Sequence, residues 1–184
     1  MMPKPPTGTH VMTNLTDLPA MAHHFPDHFH IDHLAKTVPQ GPFLGIDWGT
    51  SRVGIALSDP DNTLSMPLKI VPTGGALRGA LSQLWKDYAI KAIVMGWPMH
   101  HTGEPSTLCA PILRLATRLY NDHGWPIALY DERFTTQGVA AFLHQPKAVI
   151  DDHAAALMLQ GAIFRWKTIT SPPCPYTAIR PSPL

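Results

Sequence analysis

Residues 44–59 read LGIDWGTSRVGIALSD. Two apolar runs, 44–46 and 53–57, flank Gly49, Thr50 and Ser51, the pattern of a β-hairpin. Asp47 stands at the end of the first run. A carboxylate leaving a buried strand is costly unless something pairs with it, so the hairpin predicts both a sheet and a site. Gly49 is read as the residue that frees the turn, with close backbone approach to a phosphate as its functional alternative. Arg52 suits a phosphate through its planar fork, or pairs with Asp47 or Asp59 to hold the hairpin.

Outward from the hairpin, strands fit 43–47, 52–58 and about 65–71. A helix fits 76–89, with Leu77, Leu81, Leu84, Trp85 and Tyr88 on one face. Residues 92–96, AIVMG, form a short apolar strand of the fully buried type. A second helix fits 106–122, stopped by Gly124 and Pro126. A strand follows at 127–130, a short helix near Thr136, and a last helix from Asp151 to about Thr168. Three meandering strands followed by strand–helix alternation predict an α/β chain: a mixed sheet with helices on both faces.

Two further places join Asp47. LYDERFTT (129–136) puts Asp131, Glu132 and Arg133 at a strand end, and IDDHAAALMLQGAI (150–163) puts Asp151 and Asp152 at a helix start. Ligands of open sheets bind beyond the strand ends. Carboxylates converging there repel one another unless a divalent cation sits among them. Hard oxygen ligands suit Mg²⁺ or Mn²⁺, ions that activate water in phosphodiester cleavage. The plainer readings are an N-cap for Asp151 or Asp152 and a surface ion pair within Asp131, Glu132 and Arg133.

The chain has 184 residues, 45% of them hydrophobic, enough for one domain with a core. Its formal charge is +1, and residues 42–167 carry 11 basic and 10 acidic side chains. Charge alone therefore gives no case for nucleic acid, and binding to it is expected to be weak, with a shallow salt dependence. Two cysteines, Cys109 and Cys174, lack metal-ligand spacing and fit a reducing cytosol. Residues 1–40 hold six of the 11 histidines and six of the 20 prolines. They read as a disordered extension, dispensable for folding, and the Pro-rich residues 170–184 as a disordered tail. The domain is expected over 41–169.

Four segments, LGIDWGTSRVGIALSD, AIVMGWPMHHTGEPS, LYDERFTTQGVAAFL and IDDHAAALMLQGAI, occur in order over about residues 43–167. Together they resemble the motifs of the YqgF/RuvX family, the bacterial Holliday-junction-resolvase-like proteins also described as pre-16S rRNA nucleases. The resemblance implies a ribonuclease H-like fold and a cytoplasmic, metal-dependent endonuclease that matures the 5′ end of pre-16S rRNA. By motif it implies Asp47, Glu132 and Asp151 as catalytic and metal-binding residues for Mg²⁺ or Mn²⁺. It also implies Arg52, Arg133, Thr135 and Thr136 at the nucleic acid, and a loop marked by Gly96, Pro98 and Gly103. One of the two threonines doubles as a helix N-cap. The sequence departs from the pattern at Ser51, where a basic residue is common, and at Gly138, where a helix former is usual.

Other classes compete. A branched-DNA resolvase and a catalytically silent RNA- or protein-binding member would share the fold. GIDWGT also resembles the first phosphate hairpin of actin-like ATPases, but that architecture needs two such domains, and about 125 core residues supply one.

Overall fold

The structure, a computed structural model, describes residues 26–100, 102–131 and 147–171, with side chains left aside at 147–152. Five strands form one sheet: β1 (Phe43–Trp48), β2 (Arg52–Ser58), β3 (Ser65–Pro72), β4 (Ala92–Trp97) and β5 (Ile127–Asp131), in the order β3-β2-β1-β4-β5. β1, β2 and β3 run antiparallel in turn, whereas β1–β4 and β4–β5 are parallel. This is the ribonuclease H-like arrangement. The parallel pairs need crossovers, which are α2 (Gly75–Asp87) and α3 (Cys109–His123). β4, flanked by parallel strands and covered on both sides, is buried at every position.

Strand alternation sorts the core into two layers. Leu44, Ile46, Val53, Ile55, Ile93 and Met95 pack with Leu77 and Leu81 of α2 and Ile112 and Leu119 of α3. Phe43, Ala56, Ala92, Val94 and Ala128 face the other way, onto Ala155, Leu159, Ala162 and Trp166. Those four belong to α4 (Lys147–Thr170).

The expected hairpin, strands and two-faced sheet are present, but three expectations need correction. First, residues 26–40 are not a free arm. Asp27–Phe29 form a 3₁₀ turn and Ile31–Thr37 form α1. Phe29 enters the α2–α3 layer against Tyr120, while Leu34 and Val38 enter the α4 layer. The segment straps the β5 edge of the sheet, the kind of cover that protects an open edge from pairing with another chain. Second, α3 begins at Cys109 rather than 106, because the Ser106 hydroxyl accepts the Leu108 amide at 3.3 Å and holds a turn there. Its end is as expected, with Gly124 in the left-handed region at φ 68. Third, α4 begins at Lys147, so position 151 is in its second turn and cannot be its N-cap. Residues 1–25, the short helix expected near Thr136 and the tail after Ser171 lie outside the described residues.

The turn after β2 is pinned to the start of β1 from within. Asn62, fully buried and at φ 52, accepts the Gly41 amide at 3.1 Å and donates to the Gly41 carbonyl at 2.8 Å and to Ser58 Oγ at 3.0 Å. Asn tolerates that conformation better than most residues. Asp59 closes the same turn by accepting the Thr63 and Leu64 amides. It is thus engaged in the turn rather than in the pair with Arg52 that the sequence allowed.

Candidate active site at the parallel strand ends

β1, β4 and β5 run parallel, so their C-terminal ends share one edge of the sheet. That edge carries Asp47 and Trp48, then Trp97 and its loop, then Asp131. The hairpin aims Asp47. Trp48 pairs with Val53, and the Gly49 amide donates to the Arg52 carbonyl at 2.9 Å. A Cβ on Gly49 would stand 2.8 Å from that same oxygen. Gly49 therefore serves the tight turn, the reading favoured from sequence.

Asp47 alternates with Phe43 and Gly45 onto the α4 face. Its surroundings there are small. Gly54 is its partner on β2. One residue beyond the last β1–β4 pair, Ile46↔Met95, Gly96 stands beside it on β4. Among the described residues no donor pairs with the Asp47 carboxylate, and Arg52 is exposed rather than bridged to it. Burial pushes the Asp47 carboxyl above its usual 3.8. A half-buried oxygen pair with no counter-charge among the described residues is the donor chemistry a hard divalent cation fits.

The same glycines seat α4. A Cβ on Gly45 would meet Leu159 Cβ at 2.8 Å and the Ala155 carbonyl at 3.1 Å. One on Gly54 would meet Ala155 Cβ at 3.4 Å and Asp47 Cβ at 3.9 Å. Ala155 and Leu159 are four apart, one row of the helix. Followed one turn toward the N-terminus, that row reaches position 151, so the backbone of residue 151 approaches the strand end where Asp47 stands. Position 152 continues a different row, Ala156 and Gln160, and that row lies on the edge strand. There the Ser65 hydroxyl donates to the Ala156 carbonyl at 2.7 Å, and the Ser65 amide donates to Gln160 Oε1 at 2.9 Å. The side chains of Asp151 and Asp152 lie outside the described residues, so the sequence's choice between them is carried by the motif.

Between Trp97 and α3 the loop folds on itself. His100 and Glu104 are joined through backbone, Met99 bridges Pro105, and Gly103 adopts φ 87. His100 is exposed at its tip. Ala128 and Tyr130 of β5 share the Asp47 face. Glu132 lies outside the described residues, as do Arg133, Thr135 and Thr136. The coming together of the three carboxylates thus rests on the motifs for both Glu132 and Asp151. Sequence reasoning missed the role of Gly45 and Gly54 in seating α4. Their signal was present, as isolated glycines inside strand patterns mark close backbone approach.

No helix among the described residues is long and apolar enough to cross a membrane. Residues 41–165 match the family model described as RuvX, Holliday junction resolvase. Two curated relatives carry the name "Putative pre-16S rRNA nuclease". The one from Leifsonia xyli subsp. xyli is 30% identical over 142 residues, 72% of this chain and 92% of that one. The one from Ehrlichia chaffeensis is 26% identical over 138 residues, 70% and 88% of the two chains. Among solved structures, Thermus thermophilus RuvC in complex with a Holliday junction substrate aligns at 14% identity and TM-score 0.45. That alignment covers 70% of this chain and 94% of that one.

Proposed function

The chain belongs to the RuvX family, and from that premise we propose that it is a metal-dependent endonuclease maturing the 5′ end of pre-16S rRNA in the cytoplasm. It is a hydrolase of phosphodiester bonds. The observation that carries the reading is Asp47, half-buried at a strand end with no counter-charge among the described residues, and the Gly45–Gly54 seat that brings the backbone of the 151 turn of α4 toward it.

Asp47, Glu132 and Asp151 are assigned to hold Mg²⁺ or Mn²⁺. When bound, such an ion polarises a phosphoryl oxygen and lowers the pKa of a water ligand. The chain does the rest. Asp47 presents two hard oxygens at a position fixed by the β1–β2 ladder. Gly54 and Gly96 put no side chain of their own beside it. Arg52, exposed at the start of β2, and Arg133 are assigned to phosphates of the substrate, where a planar fork grips two oxygens. Thr135 and Thr136 are assigned to the same strand of nucleic acid.

The test is cleavage of precursor rRNA and of a four-way DNA junction, with and without Mn²⁺ or Mg²⁺. Cleavage of the RNA at the mature 5′ end, dependent on metal, is expected, and Asp47→Asn is expected to reduce it to background while the protein stays folded. A folded Asp47→Asn variant that cuts at the wild-type rate would place the nuclease site elsewhere. Preference for the junction would replace the RNA assignment with the resolvase one.

A further inference from the structure

The segment that straps the β5 edge is fastened at two places. α1 is held by burial of Leu34 and Val38 in the α4 layer and by Asp32, whose carboxylate accepts from Arg165 of α4 at 3.2 Å in an exposed pair. The turn before it, Asp27–Phe29, is held by rings. Phe29 is buried and lies nearly perpendicular to Tyr120 of α3, at 79° and 5.9 Å. His28 stacks on the same tyrosine at 25° and 4.8 Å, and its ring lies 4.2 Å from that of Phe29. Histidine is the side chain whose charge changes near neutral pH. The turn is therefore closed by a titratable group.

Burial holds the half-buried His28 below the usual 6.5; His33 of α1 acts in the same direction, and Asp27 of its own turn opposes them. His30 joins the turn to α1, which also carries Asp32, bridged to Arg165, and the exposed Lys36. α3 presents the Tyr120 phenol and, one turn on, His123, whose ring stacks on Trp125 at 4.4 Å. Arg114, Arg118 and Asp122 of α3 are exposed. β5, which also packs on the turn, carries Tyr130 on the α4 face and Asp131 at its end. A cation against the Tyr120 face would gain from the ring, whereas loss of water and the His33 charge act the other way. In an undocked turn the histidine has its ordinary value, so between that value and the lower docked one the undocked state binds the extra proton. Docking is at full strength above about 6.5, weakens as pH falls through that window, and levels off below the docked value.

We propose that the strap carries an acid-sensitive latch: neutral His28, stacked on Tyr120, holds the turn Asp27–Phe29 against α3 and β5, and a proton on His28 raises the fraction of molecules in which that turn is open. α1 stays in place meanwhile, because Leu34, Val38 and the Asp32–Arg165 pair hold it without His28. Opening withdraws Phe29 from the α2–α3 layer and bares the part of the β5 edge that the turn covers, the kind of edge that pairs with another chain. The latch goes beyond the nuclease reading and does not rest on it: it acts at the β5 edge, and β4 stands between that edge and Asp47 on β1.

The experiment is amide hydrogen exchange of the full chain at about pH 7.5, 6.5 and 5.5, corrected for the pH dependence of the chemical exchange rate. It is read by NMR at the Phe29 and His30 amides, which donate within the turn to the Pro26 and Asp27 carbonyls. Leu81, buried in α2, reports global opening. Wild type is compared with His28→Phe, which keeps an aromatic ring and cannot take a proton, and with His33→Gln, which removes the like charge. In wild type, protection of the turn is expected to fall severalfold from the highest pH to the lowest while that of Leu81 stays level. His28→Phe should keep its neutral-pH protection throughout, and His33→Gln should shrink the fall. Wild-type protection that holds or rises in acid overturns the proposal, and so does an undiminished fall in His28→Phe. Should His28→Phe fail to dock at any pH, the His28 ring signal of wild type decides. A titration midpoint that coincides with the loss of protection sustains the latch, and a midpoint apart from it overturns the latch.

Discussion

On one face of the sheet, Leu44, Ile46, Val53 and Ile55 meet Leu77, Leu81, Ile112 and Leu119. On the other, Gly45, Gly54, Ala56 and Ala128 meet Ala155, Ala156 and Ala162. Branched side chains hold helices away from a sheet and bury apolar area, about 25 cal/mol per Å². Small residues give up part of that area and let the helix backbone descend. The α2–α3 face therefore holds more of the stability, while the α4 face fixes the distance between a strand end and a helical turn. Asp47, the described carboxylate of the proposed site, is on the face with the smaller side chains.

That division predicts separable mutants. Phe29 is 1% exposed on the α2–α3 side, against Tyr120 in the last turn of α3. Phe29→Ala is expected to cost about 3–5 kcal/mol in denaturant unfolding, with cleavage per folded molecule unchanged. Deleting residues 1–38 removes Phe29, Leu34 and Val38 together and should lower the melting midpoint further, whereas deleting 1–25 should leave it where it is. An unchanged midpoint after the 1–38 deletion would show that the strap is not part of the fold. A loss of activity beyond the unfolded fraction in Phe29→Ala would blur the division between the faces.

Gly45→Ala probes the other side. Its Cβ would press on Leu159 Cβ and on the Ala155 carbonyl, and a backbone carbonyl cannot rotate away. Overpacking of this kind costs about 1–3 kcal/mol. Here activity is expected to fall by more than the loss of folded protein explains, because lifting α4 moves the 151 turn away from Asp47. Wild-type activity in a folded Gly45→Ala variant would mean that the helix seat does not set the site.

Much of this was legible in the sequence. The hairpin, the five strands and the exit of Asp47 from β1 follow from period-two alternation and from a buried apolar run in β4. The strap was not legible, since α1 is seven residues long and buries only Leu34, too little for a periodic signal, and its His-rich composition resembles a solvated arm. The start of α4 was misread because Asp151 and Asp152 look like caps, while Lys147 and Ala148, good helix formers behind Pro146, carry the helix one turn further back. Arg52 was open between a phosphate and an acidic neighbour; Asp59 is engaged in its own turn, and among the described residues Arg52 is exposed and not bridged to Asp47.

The smallest expected effect has an unusual sign. Burial raises the Asp47 carboxyl above 3.8 in the folded protein, so between the unfolded and folded values the native state binds the extra proton. Stability of the wild type, without metal, then falls as pH rises through that window and levels off above it, where the carboxylate is ionised in both states. Asp47→Asn keeps the shape and cannot ionise. In chelator the variant should match wild type below the unfolded value, gain on it as pH rises through the folded value, and keep a small constant advantage at neutral pH. Added Mg²⁺ or Mn²⁺ should reverse the order, because an ion that binds only the native wild type stabilises it by linkage. The two curves, with chelator and with metal, are read by thermal melting across pH. A neutral-pH loss in Asp47→Asn with chelator present would mean that the carboxylate has a structural partner, and the α4 face would then hold the fold at this point as well as the site.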